Sequence, residues 1–229
     1  MLKDTKMICR PTINRLFLYY RTLFQLQEEL QHVVSSEELG QRLGITSETI
    51  RKDLTLFGKF GKKGVGYHVN ELMTNIKEVL GLNSLWNIAV VGAGNFGNAL
   101  VNYHNFETMG FNLMAIFDID PNKIGSTING ITVSHIDMLE ELILEKNIQM
   151  GIITVPQGNA QEVTEKLVDA GIIGIWNFAP IEIKVPSNVQ IINEDLAVGL
   201  SSLSFYVKQQ QRLMQNECLV KQNFPFTAV

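Results

Sequence analysis

The chain has 229 residues, 45% of them hydrophobic and 18% charged, with a formal net charge of −4. That balance supports a packed core and excludes wholesale disorder, and the length suits one large domain or two small ones. No apolar run approaches the roughly 20 residues of a membrane-spanning helix. The polar start MLKDTKMICRPTINR also lacks the apolar centre of a signal peptide, so a cytoplasmic protein with no membrane partner is expected.

The charge is unevenly divided. Residues 1–80 carry 12 Lys and Arg against 9 Asp and Glu, whereas residues 81–229 carry 7 against 14. Opposite signs in the two parts suggest two modules with different partners. The two cysteines, Cys9 and Cys218, lie far apart with no CxxC spacing. That argues against a zinc site or a disulfide framework, and no metal is expected. Isolated cysteines of this kind read as incidental rather than as a thiol switch.

The first predicted element is a helix from Thr12 to about His32, with Leu16, Tyr19, Tyr20, Leu23, Leu26 and Leu30 at spacings of three and four. Ser35-Ser36-Glu37-Glu38 is a helix-start signature opening a short helix to Leu43. Gly44-Ile45 makes a tight turn. Thr46 or Ser47 then caps a third helix running to about Phe57. Helix, glycine turn, helix is the helix-turn-helix pattern, whose second helix enters the major groove. On that helix Ile50, Leu54 and Phe57 take the core side, leaving Ser47, Thr49, Arg51 and Lys52 toward solvent or DNA. Arginine can bind guanine bidentately, and lysine more often meets phosphate.

Gly58, Gly61, Gly64 and Gly66 follow, interleaved with Lys59, Lys62 and Lys63 and ending on Tyr67-His68-Val69. Glycines at this density favour a β-hairpin, and a basic hairpin directly after such a helix reads as a wing. A solvated loop is the alternative. Lys59, Lys62, Lys63 and Tyr67 join the expected DNA-binding set. A helical stretch at 71–82 closes this module.

From Trp86 the pattern changes. Apolar runs at Ile88–Val91, Leu113–Phe117, Met150–Val155, Gly174–Asn177 and Val189–Ile192 alternate with helical stretches at Gly97–Asn105, Ile136–Lys146 and Ala160–Ala170. Such alternation implies an α/β fold with a parallel sheet covered on both faces. A last helical pattern begins near Leu196. It reads equally as a helix packed on its own domain or as a dimerisation element. The expected divisions are thus 1–82, 83–195 and 196–229.

WNIAVVGAGNFGNAL places G-x-G-x-x-G between a strand and a helix, which is the Rossmann dinucleotide fingerprint. Gly92 allows the tight turn, Gly94 lets a pyrophosphate approach the backbone, and Gly97 lets helix and strand pack closely. Ala93, Asn95 and Phe96 complete the loop. The second strand ends on Asp118, 21 residues beyond Gly97, where an acid bonds the adenosine ribose and repels a 2′-phosphate. That selects NADH and NAD+. The other reading of Asp118 is a turn cap in FDIDPNK. Thr154-Val155-Pro156 and Asn177-Phe178-Ala179-Pro180 end later strands and are placed to line the same crevice, or to serve as turns. Tyr103 lies one helix length after the glycine turn and can face the ligand. No acid–base pair for hydride transfer is legible, so the chain does not read as an enzyme.

Together these stretches resemble the Rex family of redox-sensing transcriptional repressors: RLFLYYR (15–21), VSSEELGQRLGI (34–45), IRKDLTLFGKFGKKGVGYHV (50–69), VGAGNFGNAL (91–100), FDIDPNKIG (117–125) and LVDAGIIGIWNFAP (167–180). The similarity runs from about residue 8 to 207, leaving the tail after Lys208 outside it. The resemblance implies a winged-helix module on a Rossmann domain, and a homodimer that binds operator DNA until NADH releases it. It implies a C-terminal helix that swaps into the partner subunit. Tyr103 matches a family tyrosine near the nicotinamide, and Arg21 and Asp195 match a pair whose contacts differ between the two states. The chain departs from the family pattern at Phe96, at Thr55-Leu56 and at Asn193-Glu194. Two other readings stay open: an NAD-dependent oxidoreductase with a DNA-binding head, and a regulator that binds a coenzyme A derivative.

Overall fold

The computed structural model describes residues 8–62 and 64–223, with side chains described as far as Met214. These residues fall into two compact units that divide between Leu85 and Trp86.

The first unit begins with α1 (Arg10–Glu28), which has Pro11 in its first turn and buries Leu16, Tyr19, Leu23 and Leu26 on one face. A proline there forfeits only an N–H that the helix leaves unpaired in any case. α1 stops earlier than its apolar spacing suggested, because Leu30 turns left-handed at φ 58°. Strand β1 (Val33–Val34) follows, then α2 (Ser36–Leu43) and α3 (Ser47–Thr55). Ser35 Oγ accepts the Glu38 N–H at 3.0 Å and Thr46 Oγ1 accepts the Thr49 N–H at 3.2 Å, so both helices start on side-chain caps. Between them Gly44 sits at φ 67°, which only glycine adopts without strain.

The expected hairpin after α3 is reduced. Strand β2 (Tyr67–His68) pairs antiparallel with β1, Val34 facing Tyr67, and a single bridge between Lys62 and Gly66 closes the wing turn. Gly58, Gly61, Gly64 and Gly66 all take positive φ, which breaks any continuous ladder. α4 (Val69–Val79) completes the unit and packs Val69, Leu72 and Ile76 into the core of α1 and α3.

The second unit is a sheet wrapped by helices. In chain order it comprises β3 (Trp86–Val91), α5 (Asn95–Val101), α6 (Asn105–Thr108), β4 (Phe111–Asp118), β5 (Thr127–Ile128) and β6 (Ile131–His135). It continues with α7 (Leu139–Glu145), β7 (Met150–Ile153), α8 (Ala160–Asp169), β8 (Gly174–Asn177), β9 (Gln190–Asn193) and α9 (Leu196–Asn223). The spatial order is β5-β6-β4-β3-β7-β8-β9, parallel throughout except for the β5 edge. Without that edge strand it is the doubly wound order, in which the chain runs outward from β3 in both directions. Carboxyl ends of β3 and β7 therefore flank the switch point.

Two features differ from the sequence expectation. β5 and β6 lie in a stretch for which the sequence pattern predicts no element, because ITVSH buries only Val133 fully and lacks a strong apolar run. The helix expected over 97–105 is split into α5 and α6. Asn102 Nδ2 bonds the Asn98 carbonyl at 2.9 Å, a side-chain bond that competes with helix continuation. Tyr103 is left in the break.

α9 is unlike the other helices. Every residue from Leu196 to Met214 is exposed, including Leu200, Leu203, Phe205 and Tyr206. On the sheet, a cavity of about 290 Å³ is lined by apolar side chains that include Phe106, Met150, Ile152, Ile175, Trp176 and Ile192.

Candidate functional site

The glycine turn leaves β3 at the switch point. Gly92 has φ 105°, and a Cβ there would sit 2.8 Å from the Thr154 carbonyl oxygen. A Cβ on Gly97 would collide with the Gly92 carbonyl and approach Thr154 Oγ1 to 2.8 Å. Only hydrogen fits at either place. Gly94 is different: nothing lies within 4 Å of the position its Cβ would take. Its missing side chain opens space rather than avoiding a clash, as a phosphate cradle requires. Asn95 and Phe96 begin α5 and are exposed. The Asn98 N–H already bonds the Gly94 carbonyl at 2.9 Å, so α5 starts on the turn.

Asp118 ends β4 and is 8% exposed. Its Oδ2 accepts the Ala93 N–H at 2.7 Å and Lys123 Nζ at 3.0 Å, while Oδ1 accepts the N–H groups of Ile119 at 2.8 Å and Asp120 at 2.9 Å. Burial pushes the carboxyl up, but the Asp120 N–H, Lys123 and the Ala93 and Ile119 N–H groups outweigh it and hold the group below the ordinary aspartate value. These bonds fit the turn-cap reading of Asp118, and the same side chain also fastens the glycine loop. Between them the two loops enclose a cavity of about 750 Å³, lined by Gly92, Gly94, Asp118, Asp120, Lys123, Thr154, Val155 and Pro156. Val155 and Pro156 are therefore brought to the glycine turn.

The next strand end is built differently. Asn177 is 0% exposed. Its amide donates to the carbonyls of Ala179 and Ile181 and to Asn193 Oδ1, and its Oδ1 accepts the Ala179 N–H. Asn177 shapes the loop that carries Phe178, Ala179 and Pro180. Phe178 packs edge-on against Phe96 with centroids 4.9 Å apart and lies 4.4 Å from Trp176. Tyr103 is half exposed, and its ring packs edge-on against Phe106. Aromatic contacts thus run from the glycine turn toward the apolar cavity.

On the first unit, α3 presents Arg51 and Lys52 to solvent, with Ser47 and Thr49 half-buried near its start. Arg51 Nη1 donates to Ser36 Oγ at 2.8 Å and Lys52 pairs with Glu48 at 2.8 Å. Lys59 and Lys62 are exposed, and Lys63 lies outside the described residues. Tyr67 corrects the expectation. It is 8% exposed and its ring packs in the core beside the Gly61 backbone, because β2 turns it inward. Val65, at the wing turn, is the exposed apolar residue there. Arg21 is exposed on α1, and Asp195 is exposed before α9, where it accepts the Ala197 N–H at 2.8 Å.

A model described as "Putative DNA-binding protein N-terminus" matches residues 7–55, and one described as "CoA binding domain" matches residues 83–181. The redox-sensing transcriptional repressor Rex of Syntrophobacter fumaroxidans is 48% identical over 197 residues, which is 86% of this chain and 94% of that protein. Its counterpart from Carboxydothermus hydrogenoformans is 46% identical over 88% of this chain and 97% of its own. The chain belongs to the Rex family. A crystal structure of the Rex-family repressor RSP with β-NAD+ and operator DNA superposes with a TM-score of 0.86 at 38% identity, covering 93% of this chain and 98% of that one. RSP with β-NADH gives 0.83 at 37% identity, covering 92% and 99%.

Within this Rex-family chain three features escaped the sequence reading. Thr154 donates its hydroxyl to the Gly92 carbonyl at 2.8 Å, clamping the turn from just past the end of β7. Lys123 engages Asp118. In the first unit, Asp53 is 4% exposed and receives Arg15 Nε at 2.6 Å, Arg15 Nη2 at 2.7 Å and the Tyr19 hydroxyl at 2.7 Å. None of these pairings has a local sequence signature. Among the described residues no group of three or more His, Cys, Asp or Glu is placed to hold a metal. No helix there is long and apolar enough to cross a membrane.

Proposed function

We propose that this chain is a redox-sensing repressor that binds operator DNA as a homodimer in the cytoplasm and leaves it when NADH fills the glycine-turn cavity. The observation that carries this is the cradle itself, with Gly94 open, Gly92 and Gly97 closed around the turn, and Asp118 and Lys123 on the wall beside it. RSP, similar over nearly the whole chain, was crystallised with β-NADH and with β-NAD+ plus operator DNA.

In this reading residues 83–195 hold the dinucleotide. Backbone N–H groups at the start of α5 face the pyrophosphate, Ala93, Asn95 and Phe96 border it, and Asp118 faces the adenosine ribose. Val155 and Pro156 line the adenosine side. Phe178, Ala179 and Pro180, on the loop shaped by Asn177, lead with Tyr103 toward the nicotinamide. The cofactor supplies a signal, the loss of the nicotinamide's positive charge on reduction, and its hydride stays in place. Residues 1–82 read DNA through Ser47, Thr49, Arg51 and Lys52, with Lys59, Lys62 and Lys63 on phosphates. Residues 196–229 join two subunits, and Arg21 and Asp195 exchange partners between states. The exposed apolar side of α9 and the apolar cavity over β7, β8 and β9 support a helix that docks on the partner.

Fluorescence anisotropy with the RSP operator as probe tests this. NADH should lower the affinity for DNA, and NADPH should not. Equal affinity with and without NADH overturns it. A second reading, a coenzyme A derivative, is favoured by the domain match over 83–181. Asp118 opposes it, since coenzyme A carries a phosphate on its adenosine ribose. Calorimetry with NADH, NAD+ and acetyl-coenzyme A separates the two.

A further inference from the structure

The exposed face of α3 carries an acid at its centre. Ile50, Asp53 and Leu54 are buried, which turns Glu48, Arg51, Lys52, Thr55 and Leu56 to solvent. Two of these polar groups are engaged within the unit. Thr55 Oγ1 donates to the Arg51 carbonyl at 2.6 Å, and Arg51 Nη1 donates to Ser36 Oγ at 2.8 Å. Glu48 stands in the first turn, and Lys52, four residues on, places its Nζ 2.8 Å from Glu48 Oε1. Their side chains are 69% and 75% exposed, so the pair is held out in water on the face left for a partner. The Lys52 bond and charge hold the carboxyl below the ordinary glutamate value, and it is ionised at neutral pH.

A carboxylate here is at odds with a partner met only through phosphate. Every phosphate repels it, and its charge cancels that of Lys52. Base edges are different. In the major groove cytosine offers the N4 donor alone, and its paired guanine offers O6 and N7 as acceptors. Adenine sets an acceptor, N7, beside its donor, and thymine offers no donor, so a carboxylate suits cytosine best. The ion pair is the complement of that C·G edge, with a carboxylate to accept from N4 and an ammonium to donate to O6 and N7. The N-terminal residues of a recognition helix are the ones that reach base edges. We propose that Glu48 and Lys52 act as one specificity pair that reads a C·G base pair in each operator half-site. The inference rests on the DNA-binding reading above.

Fluorescence anisotropy of the full-length protein tests it, on the RSP operator and on every symmetric single-pair substitution of that operator. The proteins are wild type, Glu48→Gln and Glu48→Ala. At one position per half-site wild type should favour C by about tenfold over the other bases. Glu48→Gln should move that preference to A, which glutamine meets bidentately, and keep the relative preferences elsewhere. Glu48→Ala should flatten the preference at that position alone. A shift from C to A cannot come from a damaged fold. Variants that gain affinity for all probes by one factor, with a steeper salt dependence, would show that the carboxylate only neutralises Lys52. Variants that weaken on all probes alike and melt lower would show that it only supports the helix start. Either result, or an unchanged preference profile, overturns the specificity role. Wild type that binds no probe overturns the DNA-binding reading as well, so the two failures are distinguishable.

Discussion

Gly94 and Gly97 are three residues apart, yet they lack a side chain for opposite reasons. At Gly97 a Cβ meets the Gly92 backbone, which cannot give way without moving the turn. Gly97→Ala should therefore destabilise the second unit by about 2 kcal/mol, in the range of overpacked sites, and abolish NADH binding as the loop shifts. At Gly94 the backbone is extended (φ −73°, ψ −176°) and the space is open. Gly94→Ala should leave the melting temperature unchanged and still weaken NADH more than tenfold, because the methyl occupies the path of the pyrophosphate. Thermal melting beside calorimetry checks both, and a Gly94→Ala variant with normal NADH affinity would refute the cradle. The two roles were legible because the fingerprint is local. The clamp on the same turn comes from Thr154, just past the end of β7, and a threonine there carries no signal for that bond.

Between elements, the governing contact of the first unit is Asp53. Within residues 51–63 it is the lone acid among five basic residues. Folded, it ties α3 to α1 through the two Arg15 bonds and the Tyr19 hydroxyl. Burial pushes its carboxyl up, yet the Arg15 and Tyr19 bonds prevail and leave it below the ordinary value. Burial, then Asp53, raises Tyr19, which stays a neutral donor. A carboxyl depressed in the folded state contributes stability above its unfolded pKa of about 3.9, and that contribution is lost as pH falls through the lower folded value. Asp53→Asn should lower stability at pH 7 by about 2 kcal/mol, less than a fully buried pair because Arg15 is partly exposed. The gap to wild type should narrow as pH falls below about 4. Operator affinity should drop while NADH binding to the second unit is retained. Urea unfolding at the two pH values checks the sign, and a gap that is constant with pH would show that Asp53 acts by packing alone. The elements themselves were largely legible where the signals are local: Ser35, Gly44 and Thr46 announced α2 and α3. The hairpin at the wing is shorter than its glycines and lysines suggested because the partner of β2 is β1, two residues long and far upstream. β6 was missed because its strand character comes from β4 beside it, not from its own pattern.

For the whole molecule the question is what covers α9. A helix with Leu200, Leu203, Phe205, Tyr206 and Leu213 all more than half exposed is poorly placed in water, since each apolar Å² left uncovered forgoes about 25 cal/mol. The periodicity of this segment could not choose between intramolecular packing and dimerisation, because both need an apolar stripe. Its exposure in the single chain favours the second. A double substitution, Leu203→Glu with Tyr206→Glu, removes no core contact, so the monomer should fold as before. Wild type should sediment near twice the chain mass of 25.7 kDa and the variant near the chain mass. A palindromic operator held by two joined modules gains from effective concentration, so the variant should bind operator more than tenfold more weakly. Coupling supplies the sharper test. In wild type the factor by which NADH weakens DNA must equal the factor by which DNA weakens NADH. If the signal passes through the subunit interface, the monomeric variant should bind NADH and DNA independently, with that factor falling to one. A monomer that still releases DNA on NADH would move the switch inside a single chain and remove α9 from it.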